Sequence, residues 1–184
     1  DAVIAGLKSF TGVPGRLQAV GEATGNLPFR VLVDYAHTDD ALRRVMAALN
    51  GLKPARLIAV FGCGGDRDRT KRPRMGKAVE DLANIGVVTS DNPRTEDPQA
   101  IIADIWEGIQ KKGKFIVEPD RAKAIEMAIR EARPGDVVLI AGKGHENYQI
   151  FGQEKRHFSD VEQAAGALAR RFGAPADRLA AAGN

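Results

Sequence analysis

From Arg30 onward the chain alternates short, continuous apolar runs with longer stretches whose apolar residues recur at three and four spacing. Runs of the first kind read as strands buried on both faces, which have no solvent side to mark with polar residues. They fall at 31–33, 57–61, 86–89, 114–117 and 137–141. Segments 39–50, 72–84, 98–111 and 121–133 carry the helical period, as in Ile101, Ile105 and Ile109. Alternation of this kind predicts βα units and an α/β fold: an open, mostly parallel sheet flanked by helices. Local punctuation supports the boundaries. Asp97-Pro98 is an N-cap followed by proline at the first helical position, Asp120 can cap the next helix, and Pro134-Gly135 stops it. A C-terminal β-hairpin is expected from 149–151 and 156–158 around Gly152-Gln153. Ser159 and Glu162 then have capping-box spacing for a last helix ending at Gly173.

The two ends read differently. Val3, Leu7 and Phe10 share a helical face with no capping run before them, and Thr11-Gly12-Val13-Pro14-Gly15 breaks the period. Residues 1–15 are therefore expected to be a truncated helix and an interdomain linker, and the chain a fragment of a longer protein. Residues 16–173 form the expected domain, and the alanine-rich residues 174–184 carry no pattern and read as a tail.

At 184 residues there is room for one well-buried core. With 43% hydrophobic and 28% charged residues, disordered, collagen-like and coiled-coil chains are excluded. No apolar run approaches the ~20 residues of a membrane span, so no membrane insertion is expected. A single cysteine, Cys63, cannot form an intrachain disulfide, which fits a cytoplasmic location. The net charge of +3 is unevenly spread: residues 66–77 hold six basic and two acidic side chains, a local +4 that leaves −1 elsewhere. So compact a focus suits a small anion better than nucleic acid, which meets longer basic tracks, and at 5% aromatics base-stacking platforms are scarce.

Ligands of open parallel sheets sit beyond the carboxyl ends of the strands, so the residues after each apolar run are the ones to read. They are Asp34-Tyr35-Ala36-His37, Gly62-Cys63-Gly64-Gly65-Asp66-Arg67-Asp68, Ser90-Asp91-Asn92-Pro93-Arg94 and Gly142-Lys143-Gly144-His145-Glu146. The glycines of the second loop either aim backbone N–H groups at an anion or simply make a tight turn, with Arg67, Lys71 and Arg72 solvated. Asp91 to Arg94 could grip an amino acid, carboxylate on arginine and ammonium on aspartate, or form a surface pair at a helix entry. The fourth loop lacks the upstream glycine and Ser/Thr of a Walker A element, and none occurs elsewhere. Histidines 37, 145 and 157 with one cysteine offer no metal-ligand spacing, so no metal site is expected. Cys63, Trp106 and Met127 read as packing residues and His157 as part of the hairpin.

Taken in order with Val13-Pro14-Gly15-Arg16, these loops resemble the C-terminal domain of the Mur ligases, the ATP-dependent amino-acid ligases of peptidoglycan synthesis. The resemblance spans about Leu7 to Phe172, and Asp91-Asn92-Pro93-Arg94-Thr95-Glu96 is similar to the branch that adds meso-diaminopimelate. It implies a Rossmann-like domain that supplies the amino-acid site and closes over ATP. Arg67, Asp91, Asn92, Pro93, Arg94, Gly142 and Glu146 match diaminopimelate positions, and Arg16, Asp34 and His37 match nucleotide positions. It implies no catalytic residue in this chain. ATP and magnesium would be held mainly by a central domain, and an N-terminal domain would bind the UDP-N-acetylmuramoyl dipeptide whose D-glutamate carboxylate is activated to an acyl phosphate. Asp39 departs from the family, which commonly has proline there. Diaminopimelate has an amino-acid head at each end, and Arg67, Arg94, Asp91 and Glu146 supply both signs such a molecule needs. On that reading the local +4 steers anions, and the chain alone shows no turnover. A lysine-adding ligase and a stand-alone nucleotide or nucleic-acid module are the alternatives.

Overall fold

The structure, a computed structural model, describes residues 13–21, 27–173 and 175–180. The truncated helix expected at the N-terminus lies outside them, and of the expected linker only residues 13–15 are described. A six-stranded sheet forms the middle layer, with strands β1 (Gln18–Val20), β2 (Arg30–Asp34), β3 (Leu57–Phe61), β4 (Ile85–Val88), β5 (Phe115–Val117) and β6 (Val137–Ala141) in the spatial order β1-β2-β6-β3-β4-β5. All neighbours run parallel except β1, which pairs antiparallel with β2. Three helices, α1 (Asp39–Gly51), α2 (Lys71–Leu82) and α3 (Pro98–Glu107), connect β2 to β5. Then α4 (Arg121–Glu131) carries the chain back to β6 in the centre.

Central strands β3 and β6 are buried along their whole length, as their unbroken apolar runs require. Alternate side chains feed two cores. Leu57, Ala59 and Phe61 pack with α1, α2 and α3 on one face, while Ile58 and Val60 pack with α4 and α5 (Asp160–Phe172) on the other. Three caps fall where the sequence places them. Asp97 accepts from Gln99 N–H, Asp120 from Ala122 and Lys123 N–H, and the Ser159 hydroxyl from Glu162 N–H, while Gly173 ends α5 in the left-handed region at φ +71°. The second half of the capping box does not form, because the Glu162 carboxylate turns instead to His157 Nε2 at 2.6 Å. Asp39 opens α1 without difficulty, with the Thr38 hydroxyl accepting from Ala41 N–H at 3.2 Å.

Two features differ from the sequence reading. β1 was not expected, being three residues long with no run of its own. The segment read as a patternless tail carries a short helix, α6 (Ala176–Ala180), whose Leu179 is buried against the second core and whose carbonyl accepts from Gly21 N–H at 2.8 Å. The hairpin forms from β7 (Tyr148–Phe151) and β8 (Glu154–His157). It stands apart from the main sheet and joins the loop after β4 through a bridge between Phe151 and Arg94. Among the described residues no helix is long and apolar enough to cross a membrane.

Candidate functional site

The loops after β2, β3, β4 and β6 leave one edge of the sheet and enclose a cleft of about 280 Å³. Its lining includes Arg67, Asp91, Asn92, Arg94, Gly142 and Glu146, residues that the family resemblance assigns to the amino acid, together with His37 from the nucleotide group. Pro93 lies behind the lining, and Gly65 packs so tightly on it that a Cβ there would fall 1.9 Å from the Pro93 carbonyl oxygen. The second and third loops can therefore meet only with glycine at position 65. Gly65 N–H then donates to the Asn92 carbonyl at 2.9 Å, joining them.

Arg94 adopts φ +53°, a conformation costly for a side chain other than glycine. The hairpin holds it there: Arg94 N–H donates to the Ile150 carbonyl at 3.0 Å and Gly152 N–H to the Arg94 carbonyl at 2.6 Å. The guanidinium donates through Nη1 to the Gly65 carbonyl at 2.8 Å, and its other nitrogens have no carboxylate partner among the described residues. Arg67 is likewise without one, donating only to the Asp66 carbonyl at 3.1 Å. Two cationic forks thus face a cleft that also carries Asp91 and Glu146.

Asp91 is buried beside two cations. Burial alone would push its carboxyl up, but the Lys143 ammonium at 3.0 Å and the nearby Arg121 guanidinium outweigh it and hold the group below its ordinary value. Arg121 is itself enclosed, forming a bidentate pair with Asp160 at 2.8 and 2.7 Å and donating to the Ala141 carbonyl at 2.9 Å. Gly142, at φ +121°, turns the chain away from β6 directly over Asp91.

The nucleotide group divides. Arg16 lies over the Tyr35 ring at 4.9 Å, and that ring makes an edge contact with His37 at 4.7 Å, so an exposed cation and two aromatic rings share one rim. Asp34 sits behind them with both carboxylate oxygens committed to backbone, Oδ2 to Leu17 N–H and Oδ1 to Ala36 N–H, each at 2.8 Å. It fixes the approach of β1 to the rim.

The basic run 66–77 is not the uniform patch its composition suggests. Arg72 is fully buried under the glycine loop between Glu96 and Asp104, each at 2.8 Å; Arg69 pairs with Asp104, Arg74 with Asp39, and Lys77 with Asp81. Carboxylates from α1, α3, the loop before α3 and α2 itself cancel most of the local charge, which leaves Arg67 and Lys71 at the cleft. Steering by a broad +4 surface is thereby corrected to two side chains. Cys63 lines the cleft, but burial pushes its thiol up to about 12, as befits a packing residue. Sequence reasoning gave no role to Lys143, Arg121, Tyr35 or Tyr148. A signal for Arg121 was present: a cation at the first position of a helix opposes the macrodipole and needs a tertiary partner.

A family model described as "Mur ligase, glutamate ligase domain" matches residues 15–144. The chain belongs to the Mur ligase family. Two relatives, both named UDP-N-acetylmuramoyl-L-alanyl-D-glutamate-2,6-diaminopimelate ligase, illustrate the likeness. The protein of Synechocystis sp. is 55% identical over 93% of this chain, and that of Thermosynechococcus vestitus 52% identical over 97%. This Mur ligase chain spans only 34% and 36% of their lengths, so each has further domains. A solved structure of a ligase of the same name superposes with a TM-score of 0.79 at 44% identity, covering 92% of this chain and 34% of that one. A solved UDP-N-acetylmuramate-alanine ligase from Thermotoga maritima shares the fold, with a TM-score of 0.58 at 21% identity over 93% of this chain and 33% of that one.

Proposed function

We propose that this chain is the carboxyl-terminal part of an ATP-dependent ligase that adds meso-diaminopimelate to UDP-N-acetylmuramoyl-L-alanyl-D-glutamate in the cytoplasm. The observation that carries the reading is the charge pattern of the cleft, where Arg67 and Arg94 lack carboxylate partners beside Asp91 and Glu146. Two carboxylates and two ammonium groups, the inventory of diaminopimelate, complement that set. Lysine has one carboxylate fewer and leaves a fork unmatched.

The exposed Arg16 and the Tyr35 and His37 rings suit a phosphate and a nucleoside, and Lys71 adds a cation on the same side of the cleft. These residues would cover ATP, with magnesium and the phosphates held chiefly by the central domain. When bound, ATP supplies the phosphoryl group that activates the acceptor carboxylate. This chain orients the incoming amino acid and screens its amine from bulk water. Without a Walker A loop it is expected to show no turnover alone.

Steady-state kinetics of Arg94→Ala in the full-length ligase test the assignment. The variant should lose at least ~10²-fold in kcat/KM for diaminopimelate, about 3 kcal/mol, and change lysine use far less. Equal losses for both amino acids would remove Arg94 as the selector.

A further inference from the structure

Lys143 touches the cleft-lining residues without lining the cleft itself. Its side chain is 0% exposed, and its ammonium donates to Asn92 Oδ1 at 3.0 Å and to the Tyr148 carbonyl at 2.7 Å, with Asp91 Oδ1 beside it at 3.0 Å as its ion-pair partner. Buried in this way and absent from the cleft lining, the ammonium acts on its neighbours rather than on a ligand. The contacts decide what its neighbours present. Asn92 Oδ1 receives both Lys143 Nζ and Ile150 N–H, the latter also at 3.0 Å; two donors there demand the oxygen and turn the amide NH2 outward to Glu146 Oε2 at 3.2 Å. Asp91 is divided in the same way. Lys143 holds Oδ1, and Oδ2 lies on the Gly142 side, 3.4 Å from where a Cβ on that glycine would stand.

Resting on the reading of the cleft as an amino-acid site, we propose that Lys143 is a positioning residue. It holds the Asp91 carboxylate and the Asn92 amide, and Glu146 through that amide, in the arrangement that receives the ammonium end of the incoming amino acid.

Charge provides a readout that packing alone would not. Asp91 is faced by Lys143 and Glu146 from the loop after β6, by Arg121 from α4 with Asp160 of α5 behind it, by Arg94 from its own loop, by Cys63 after β3 and by Tyr148 on β7. Of the cations, only Lys143 contacts the carboxylate within 4 Å. Its removal shifts the balance toward burial, which favours the neutral acid, and a neutral acid is a poor partner for ammonium. The defect is therefore largest at low pH and shrinks as the pH rises.

The experiment is steady-state kinetics of Lys143→Met in the full-length ligase, with diaminopimelate and ATP varied separately from about pH 6.5 to about pH 9. KM for diaminopimelate should rise at least ~10-fold at neutral pH and recover toward the alkaline end, with KM for ATP within about twofold of wild type. Lys143→Arg keeps the charge and should keep the wild-type pH profile. If Lys143→Met does not fold, Lys143→Gln, which retains a donor and removes the charge, carries the same expectation. An unchanged KM for diaminopimelate, or a rise by one factor at every pH, overturns the proposal. Arg94→Ala separates the two levels. If it impairs diaminopimelate use and Lys143→Met does not, only the role of Lys143 fails; if Arg94→Ala also has no effect, the amino-acid site itself is misassigned.

Discussion

Replacing Arg121 by methionine removes one half of an ion pair whose two side chains are both 0% exposed. The carboxylate of Asp160 is left without its only cation within 4 Å among the described residues, at the start of a helix that lies against the sheet. Two unit charges ~4 Å apart at an effective dielectric of ~20 attract by about 4 kcal/mol, and stranding one member of a buried pair costs about 3–5 kcal/mol. Arg121 also donates to the Ala141 and Ser90 carbonyls at 2.9 and 3.4 Å, and losing a partner for a buried carbonyl adds ~1 kcal/mol. Denaturant unfolding of this chain should therefore show Arg121→Met destabilised by about 4–5 kcal/mol, with the melting temperature lower by ~10 °C or more. The double variant Arg121→Met with Asp160→Leu removes the stranded charge and should regain most of the loss. It stays about 1–2 kcal/mol below wild type, because the Ala141 and Ser90 carbonyls still lack their donor and α5 forfeits ~0.5 kcal/mol of charge–dipole stabilisation at its N-terminus. A single-variant cost below ~1 kcal/mol, or a double variant as unstable as the two singles summed, would refute the claim that the pair acts as a unit.

Gly65→Ala drives a Cβ into the Pro93 carbonyl, and the two loops must separate; a cost of at least ~2 kcal/mol in urea unfolding is expected, and a neutral substitution would show that they part freely. Glu96 is held at about 2 against an ordinary 4.5, first by Arg72 and then by Asp66 N–H, so its contribution is present above pH 4.5 and is lost as the pH falls toward 2. Urea midpoints measured across that window should fall less steeply for Glu96→Gln than for wild type, and identical slopes would count against it. Cys63, with its thiol at about 12, should react with a thiol reagent at neutral pH at least ~10²-fold more slowly in the native state than in urea; rapid native labelling would contradict its burial.

The parallel sheet was legible because β3 and β6 are covered on both faces and read as continuous apolar runs, while proline, aspartate and glycine mark the helix ends. What escaped lacked a periodic signal. β1 is three residues pinned from outside by Asp34 accepting from Leu17 N–H, and α6 holds its place through the single buried side chain of Leu179. Both are defined by tertiary contacts that local patterns do not encode. The capping box failed on the same principle: its spacing was right, but His157, brought near by the hairpin, competes for the glutamate.

The cleft was legible in its members and much less so in their states. Position after a strand end gathers the loops that hold Arg67, Asp91, Asn92, Arg94, Gly142 and Glu146, since topology sends every such loop to one edge, and the family resemblance singles those residues out within them. Charge is not local in that sense. Six basic residues in a row of twelve look like an anion trap, yet Glu96 and Asp104, supplied by the next βα unit, reach back and neutralise the run from beneath. The reverse holds at Lys143. A lysine between two glycines carries no sign of its direction in the sequence, and the fold turns it inward onto Asp91, Asn92 and the hairpin, out of the cleft lining. On the proposed reading, the cations left for a ligand are those to which no described element sends a carboxylate. Arg67 and Arg94 meet that condition, and it becomes visible only once the strands are placed side by side.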